Sequence, residues 1–372
     1  MKVCVDIQPA VAQRAGVGRF TKCLVEQLAV DCGDDELSLF YFDFKRNGLG
    51  FPVGGATTRP VQWVPGRYVQ QAWRRLNWPP FDWFAGSADL YHFTNFIRPP
   101  LRKGRSIVTI YDASFLRFPE AAEPKNLAYL TSRIQDTADR ADGVITISEF
   151  SAQEIHEWLG VPRDRIHVTY PGLDHQVRER PAPSAIAATR KTLGLDRPYL
   201  LFVSTMEPRK NIPFLVDLFD AADFFDGDLV LAGMKGWKVE PILEHIGRAR
   251  RRDRIHYLEY VDDSALPALY AGAELFVFPS LYEGFGLPPL EAMMYGTPVV
   301  SSSGGSLPEV LGSAADVMPD FAMERWLESL RVNLEDSDRR SRMQEQGKVQ
   351  ARSYTWKEAA AKTWQAYRSL LT

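Results

Sequence analysis

Short apolar runs alternate along this chain with longer stretches whose apolar residues recur at helical spacing. In the first half, residues 2–7, 37–42, 89–93, 106–111, 143–148 and 165–170 read as strands. Phe20, Leu24, Val25 and Leu28 share one face of a helix predicted over about 18–29. Ser148 or Ser151 is placed to cap the helix after the fifth strand. Residues 171–183 are polar, hold three prolines and show no period, so they read as a linker. A second series of strands follows at 198–203, 228–232, 254–258, 275–278 and 297–301, with helices between them. A last helix over 354–371 carries Trp356, Ala360, Trp364 and Tyr367. Repeated strand–helix units predict parallel sheets and an α/β class. At 372 residues the chain suits two domains, read as 1–175 and 184–353, with 354–372 as a terminal helix.

The most informative stretch is Glu283-Gly284-Phe285-Gly286-Leu287-Pro288-Pro289-Leu290-Glu291. It follows an apolar run over 274–280 and leads into a helix closed by Gly296. Pro288 and Pro289 suit a first helical turn, whose amides have no intrahelical acceptor. Strand, glycine loop and helix start together make an anion site at the carboxyl edge of a sheet. Two carboxylates frame it, Glu291 on the first helical turn and Glu283 on flexible backbone. Carboxylates suit sugar or ribose hydroxyls, and amides suit phosphate. The combination points to a sugar nucleotide.

This segment resembles the nucleotide-sugar site of the family-4 retaining glycosyltransferases, with their Glu-x7-Glu signature. Phe202 to Asn211, which includes Glu207-Pro208-Arg209-Lys210, resembles that family's diphosphate-binding turn. Ala15-Gly16-Val17-Gly18-Arg19-Phe20 resembles its N-terminal glycine loop. The resemblance runs over nearly the whole chain, with the three motifs in the family's order. It implies a GT-B architecture, two Rossmann-like domains facing across a cleft, with the terminal helix crossing back onto the first. Glu283 would then bind donor-sugar hydroxyls and Glu291 the ribose diol. The amides of Phe285, Gly286 and Leu287 would serve sugar and phosphate, and Val261 would lie against the base. Lys210 and Arg209 would neutralise a departing diphosphate. Domain closure would exclude water.

Several places depart from the family's pattern or read as structural. Where many relatives carry His-Asp, this chain has Tyr111-Asp112. A tyrosine of ordinary pKa is a poor base at neutral pH. Asp112 is therefore the candidate to orient or deprotonate the acceptor, against a bland reading as a turn cap. Tyr111 reads as its neighbour or as a sugar platform. Gly16 and Gly18 suit a loop facing phosphate or acceptor, and Arg19 reads equally as a phosphate contact or a surface pair. Asp262 and Asp263 read as helix caps. His92 reads as a satisfied structural histidine. Asp226-Gly227-Asp228 precedes its strand, so it reads as turn chemistry rather than a metal-binding acid pair. No metal and no cofactor are expected.

Composition adds exclusions. Apolar content of 45% and charge of 24% are ordinary for a globular protein. A net charge of −3 leaves no nucleic-acid footprint. Cys4, Cys23 and Cys32 have no ligand-like spacing and read as thiols of a reducing compartment. The chain opens directly on a strand and has no apolar run of membrane-spanning length, so it reads as cytoplasmic. Residues 60–105 concentrate arginine and tryptophan, which suits peripheral contact with an anionic membrane at the inner face of the plasma membrane. The expected partners are a nucleotide-sugar donor and a glycan or lipid-linked oligosaccharide acceptor. The segment around Gly16–Phe20 and residues 109–120 most resembles bacterial surface-polysaccharide mannosyl- and rhamnosyltransferases, which makes a GDP-sugar the first donor expectation. A UDP-sugar transferase, a UDP-sugar 2-epimerase of the same fold and a two-lobed sugar-binding protein are the rival readings.

Overall fold

The computed structural model describes residues 1–13, 16–173 and 179–372. Ala15 of the glycine loop and residues 174–178 of the linker lie outside the described residues. The chain forms two compact units. One comprises Met1–Ala113, Pro124–His175 and Thr355–Thr372, and the other Ser114–Glu123 and Gln176–Tyr354.

The sheet of the first unit contains β1 (Lys2–Asp6), β2 (Glu36–Phe42), β3 (Thr57–Val61), β4 (Leu90–Phe93), β5 (Arg105–Thr109), β6 (Gly143–Thr146) and β7 (Ile166–Val168). Their order is β3-β2-β1-β4-β5-β6-β7, and every pairing is parallel. Central strands such as β4 and β6 are buried throughout, which is why they read as continuous apolar runs rather than alternating ones. The sequence pattern did not reveal β3. Only its last residue is buried, and Pro60 is tolerated because β3 is an edge. The helix Val17–Val30 buries Phe20, Leu24, Val25 and Leu28, the face that the spacing predicts. Ser148, not Ser151, caps the helix Glu149–Leu159: its Oγ accepts from the Ser151 amide at 3.0 Å.

The helix Trp356–Ser369 belongs to this unit and reaches its core. Trp364 Nε1 donates to the Leu28 carbonyl at 3.3 Å, and the rings of Trp356 and Phe20 meet edge to face at 5.5 Å. The Tyr367 hydroxyl lies 2.7 Å from His92 Nδ1. Gly172 makes room for the start of this helix, since a Cβ there would lie 2.2 Å from the Trp356 nitrogen.

The second unit holds β8 (Tyr199–Val203), β9 (Asp228–Ala232), β10 (Ile255–Leu258), β11 (Leu275–Phe278), β12 (Val299–Ser302) and β13 (Asp316–Met318). They are all parallel, in the order β10-β9-β8-β11-β12-β13. Strand order reverses between β8 and β11, which makes the carboxyl ends of those two strands the natural ligand position of this sheet. β13 is too short for an apolar period and also escaped the sequence reading. The sequence reading placed residues 114–123 in the first domain; they group instead with the second unit. Trp237 Nε1 donates to the Ala121 carbonyl and Lys238 Nζ to that of Glu120. Phe118 packs edge-on against Tyr282 at 5.8 Å.

Replacing Trp364 with alanine removes a fully packed indole, and a loss of about 3–5 kcal/mol in unfolding free energy is expected. Val349→Ala, at a position that is 71% exposed, should stay within about 0.5 kcal/mol of the parent. Equal denaturant midpoints for the two variants would contradict this packing role.

Candidate functional site

The switch point of the second sheet gathers four charged side chains. Glu207, Arg209 and Lys210 lie on the turn after β8, and Glu283 on the loop after β11. Lys210 Nζ sits 2.5 Å from Glu283 Oε1, and Arg209 Nη1 lies 3.2 Å from Glu283 Oε2. Arg209 Nη2 also pairs with Glu207 Oε1 at 2.7 Å. Neutral groups complete the cage. Ser280 Oγ donates to Glu283 Oε1 at 2.6 Å, and Arg209 Nη1 donates to the Tyr282 carbonyl at 2.6 Å. The Leu281 amide ties the two loops together by donating to the Arg209 carbonyl at 2.8 Å.

Glu207, Lys210 and Glu283 are buried, and Arg209 is nearly so. Burial pulls the Lys210 ammonium below its ordinary value, Arg209 beside it adds to that, and Glu283 and Glu207 oppose the shift. Burial pushes the Glu283 carboxyl up, but Lys210, then Arg209 and the bonds from Lys210 and Ser280, outweigh it and hold it below the usual carboxylate range. Glu283 is thus a firm anion, while Lys210 is a cation that would gain from further negative charge.

The loop that carries Glu283 is not slack, as the sequence reading had supposed. The Ser306 amide and Oγ both reach the Glu283 carbonyl, at 2.9 and 3.1 Å. Gly305 passes so close that a Cβ would lie 2.2 Å from that carbonyl oxygen, and Gly305 has φ +69°. The helix Leu287–Met294 holds Pro288 and Pro289 in its first turn, as the sequence predicts, with Leu287 as its first residue. Glu291 therefore stands on the second turn, buried, with one oxygen accepting from the Tyr270 hydroxyl at 2.8 Å. Pro288 and Pro289 have no N–H, so this helix start offers fewer amides than most, and the cations of the neighbouring turn carry more of any anion's charge. Phe285 is buried edge-on to Tyr354, and Gly286 takes φ +103° at the helix entry. Val261 lies half-buried on the loop after β10. The Asp262 backbone carbonyl, not its side chain, accepts from Ala265 and Leu266 at the next helix start.

In the first unit, Gly16 is the cap residue of the helix Val17–Val30 and has φ +55°. Gly18 is required by packing, since a Cβ would lie 2.0 Å from the Gln13 carbonyl oxygen. Arg19 is half-buried on the first turn of that helix. Asp112 is half-buried just beyond β5. Tyr111 is no sugar platform: it is buried, its hydroxyl donates to the Thr94 carbonyl at 2.7 Å, and burial drives its pKa far up. His92 bridges the hydroxyls of Tyr367 and Thr109, each at 2.7 Å, and burial lowers its pKa to about 3, so it is neutral and structural. At the reversal of this sheet, between β1 and β4, burial pushes the Asp6 carboxyl up to about 6 against a bond from the Gln8 amide. Asp226 and Asp228 face arginines, at 2.9 Å from Arg254 and at 3.6 Å from the same guanidinium, and His256 lies 3.0 Å from Asp228.

The sequence reading missed Ser280, Tyr270, Ser306, Asp6 and the clamping role of Glu207. Asp6 ends a strand, Tyr270 lies inside a helix, and Ser280, Ser306 and Glu207 lie on loops; the partner of each is set by the fold. Gly304-Gly305 after β12 was the one available signal, a glycine pair where backbone must pass close.

Residues 16–177 match the family described as Glycosyltransferase Family 4, and residues 186–350 the one described as Glycosyl transferases group 1. Over 390 aligned positions, spanning 100% of both proteins, the chain is 31% identical to the O-antigen chain mannosyltransferase B of Escherichia coli. This chain belongs to the family-4 glycosyltransferases. A second relative of this glycosyltransferase, the serotype-specific mannosyltransferase WbdA of Escherichia coli, is 37% identical over 185 residues, 47% of this chain and 22% of that protein. Among solved structures, the glycosyltransferase is similar to sucrose-phosphate synthase from Thermosynechococcus elongatus, at TM-score 0.74 and 20% identity, with 99% and 98% of the chains covered. It is also similar to Anabaena Alr3699/HepE in complex with UDP and glucose, at TM-score 0.70 and 18% identity, with 100% and 99% covered. At such identities the likeness speaks to fold alone, and the fold is GT-B: two doubly wound parallel units.

Lys210→Ala leaves Glu283 buried with half its countercharge, and a loss of about 3–5 kcal/mol in stability at neutral pH is expected. The sign follows from the folded pKa of Glu283, which is depressed in the parent and rises once Lys210 is gone. The parent's advantage is full above the ordinary carboxylate pKa and shrinks as pH falls through it, because the variant can then bury Glu283 neutral. A stability gap between parent and variant that stays constant from neutral pH to acid would refute this coupling.

Proposed function

We propose that this glycosyltransferase moves a mannosyl residue, or a related deoxyhexose, from a GDP-sugar to a glycan or lipid-linked glycan acceptor, with retention at the anomeric carbon and without a metal. The observation that carries the reading is the pair of cations, Arg209 and Lys210, at the switch point of the second sheet beside the Glu283 loop. The names of the two relatives above, an O-antigen chain mannosyltransferase and a serotype-specific mannosyltransferase, support the choice of sugar and acceptor.

In this reading the second unit binds the donor and the first unit the acceptor. The diphosphate takes the positions of Arg209 and Lys210 that Glu283 now occupies, and Glu283 turns to the hydroxyls of the donor sugar. Glu291, held by Tyr270, takes the ribose diol, and Val261 lies against the base. The amides of Phe285, Gly286 and Leu287 serve the phosphate and sugar. The bond between the anomeric carbon and the phosphate oxygen breaks, and the diphosphate leaves with the electron pair. The acceptor oxygen attacks the same face, and its proton passes to the leaving phosphate oxygen. Arg209 and Lys210 stabilise the charge as it develops. No strong side-chain base is needed, which suits a site edge where Tyr111 and His92 are buried and inert. Gly16, Gly18 and Asp112 mark the acceptor side, and Asp112 orients the acceptor hydroxyl.

Calorimetry with GDP, UDP and ADP in the presence of chelator should give the tightest binding for GDP. Selective UDP binding would replace the mannosyl reading with UDP-sugar transfer or epimerisation. Because a bound diphosphate restores the Lys210 pKa, affinity should fall as pH rises through the depressed pKa of the ligand-free site. Glu283→Gln removes the competing anion: nucleoside-diphosphate affinity should rise about tenfold while sugar transfer is lost, a change of about 1.4 kcal/mol in binding. A Glu283→Gln variant that binds the diphosphate less tightly than the parent would place Glu283 outside this exchange.

A further inference from the structure

The aromatic and basic residues of 60–105, all in the first unit, divide cleanly by exposure. Trp73 and Phe84 pack with Phe42, at 6.0 and 5.9 Å, and Phe81 packs with Trp73 at 6.0 Å and with Phe40 at 4.5 Å. Trp73 Nε1 also donates to the Pro79 carbonyl at 2.7 Å, which pins the following loop to the helix Gly66–Leu76. Tyr91 and Phe93 are buried in β4. Five apolar side chains of the segment face water. Trp63 and Leu76 are each 71% exposed, Tyr68 and Trp78 55%, and Trp83 53%. Five of the fourteen large exposed apolar side chains among the described residues thus fall within 63–83. Trp78 and Trp83 meet edge to face at 5.6 Å, so they form one projecting ridge.

Cations frame that ridge. Arg74 and Arg75 form the last turn of the helix Gly66–Leu76, immediately before Trp78, and both are exposed. Arg67, Arg102, Lys103 and Arg105 are exposed as well. The two acids of the segment are already engaged: Asp82 accepts from the Arg102 amide at 3.0 Å, and Asp89 from the Lys2 amide at 2.7 Å. Arg102 Nε also lies 3.7 Å from Asp82, and Arg105 pairs with Asp142 at 2.7 Å. Residues 60–105 still carry seven arginines and lysines against two aspartates, a positive segment on a chain whose net charge is −3.

We propose that this face docks on an anionic lipid bilayer. Trp78, Trp83, Leu76 and Trp63 sit at the level of the headgroups, and Arg74, Arg75 and Lys103 pair with lipid phosphates. Leu76 and the indoles need an apolar phase, and the arginines within the same turn need an anionic one; a lipid interface supplies both side by side. An acidic protein or a nucleic acid would satisfy the arginines and leave Leu76 and the projecting indoles in water. The inference is independent of the donor reading, since it uses no residue of the second unit.

The test is co-sedimentation of the full chain with vesicles of phosphatidylcholine, with and without phosphatidylglycerol. Binding should require phosphatidylglycerol, weaken with added salt and shift tryptophan emission to the blue. The double variant Arg74→Glu/Arg75→Glu should partition about tenfold more weakly or worse. Trp78→Ser/Trp83→Ser should also bind weakly and lose the emission shift. Both should melt with the parent and bind nucleoside diphosphate as it does, which separates this surface from the donor site. Equal partition onto neutral and anionic vesicles, no partition at all, or variants that partition like the parent would overturn the proposal. So would concentration-dependent self-association that the same substitutions abolish, because the face would then cover a second copy.

Discussion

A lysine and a glutamate buried against each other at the end of a parallel sheet constrain everything around them. Separating two charges from water costs several kcal/mol per ion, and attraction offsets this only when the geometry is good and the remaining lone pairs are satisfied. The second unit meets that condition with Ser280, Arg209, the Tyr282 carbonyl and Glu207. Each partner depends on β8 and β11 being neighbours, so the strand order of the sheet and the charge network are one requirement. Ser306 and the glycine at 305 then hold the loop in place from the β12 side. The resulting site holds an ionised Glu283 against a lysine whose pKa burial lowers, and the proposed diphosphate would exchange for that anion.

What the sequence reveals and what it hides follow one physical rule. Features that reflect a regular pattern of burial were legible: the apolar runs of Asp228–Ala232 and Leu275–Phe278, the helical face of Phe20, Leu24, Val25 and Leu28, and the strand–loop–helix at 275–294. Features that depend on which segment lies beside which were not. β3 carries Pro60 and three other exposed residues because an edge strand has no apolar requirement on its outer side. Residues 114–123 find their partners at Trp237, Lys238 and Tyr282, far along the chain. Glu207 looked like a turn residue until its oxygen met both nitrogens of the Arg209 fork. Tyr111 reads from sequence as a neighbour of Asp112 or a sugar platform, and only the fold shows its hydroxyl donating to the Thr94 carbonyl.

The first unit shows the same principle in its aromatics. Periodicity cannot separate Trp73 from Trp78, since both lie in one arginine-rich stretch. Packing does: one indole is tied to Pro79 and Phe81, and the other projects into water. The terminal helix closes this unit by burying Trp364 and Tyr367, and in doing so it fixes His92 as a neutral hydrogen-bond bridge.

The most direct measurement is a crystal structure of the chain with a nucleoside diphosphate bound. The account predicts diphosphate oxygens within hydrogen-bond distance of Lys210 Nζ and the Arg209 guanidinium, with Glu283 no longer paired to Lys210. A diphosphate bound elsewhere, or one bound while the Lys210–Glu283 contact persists unchanged, would contradict it.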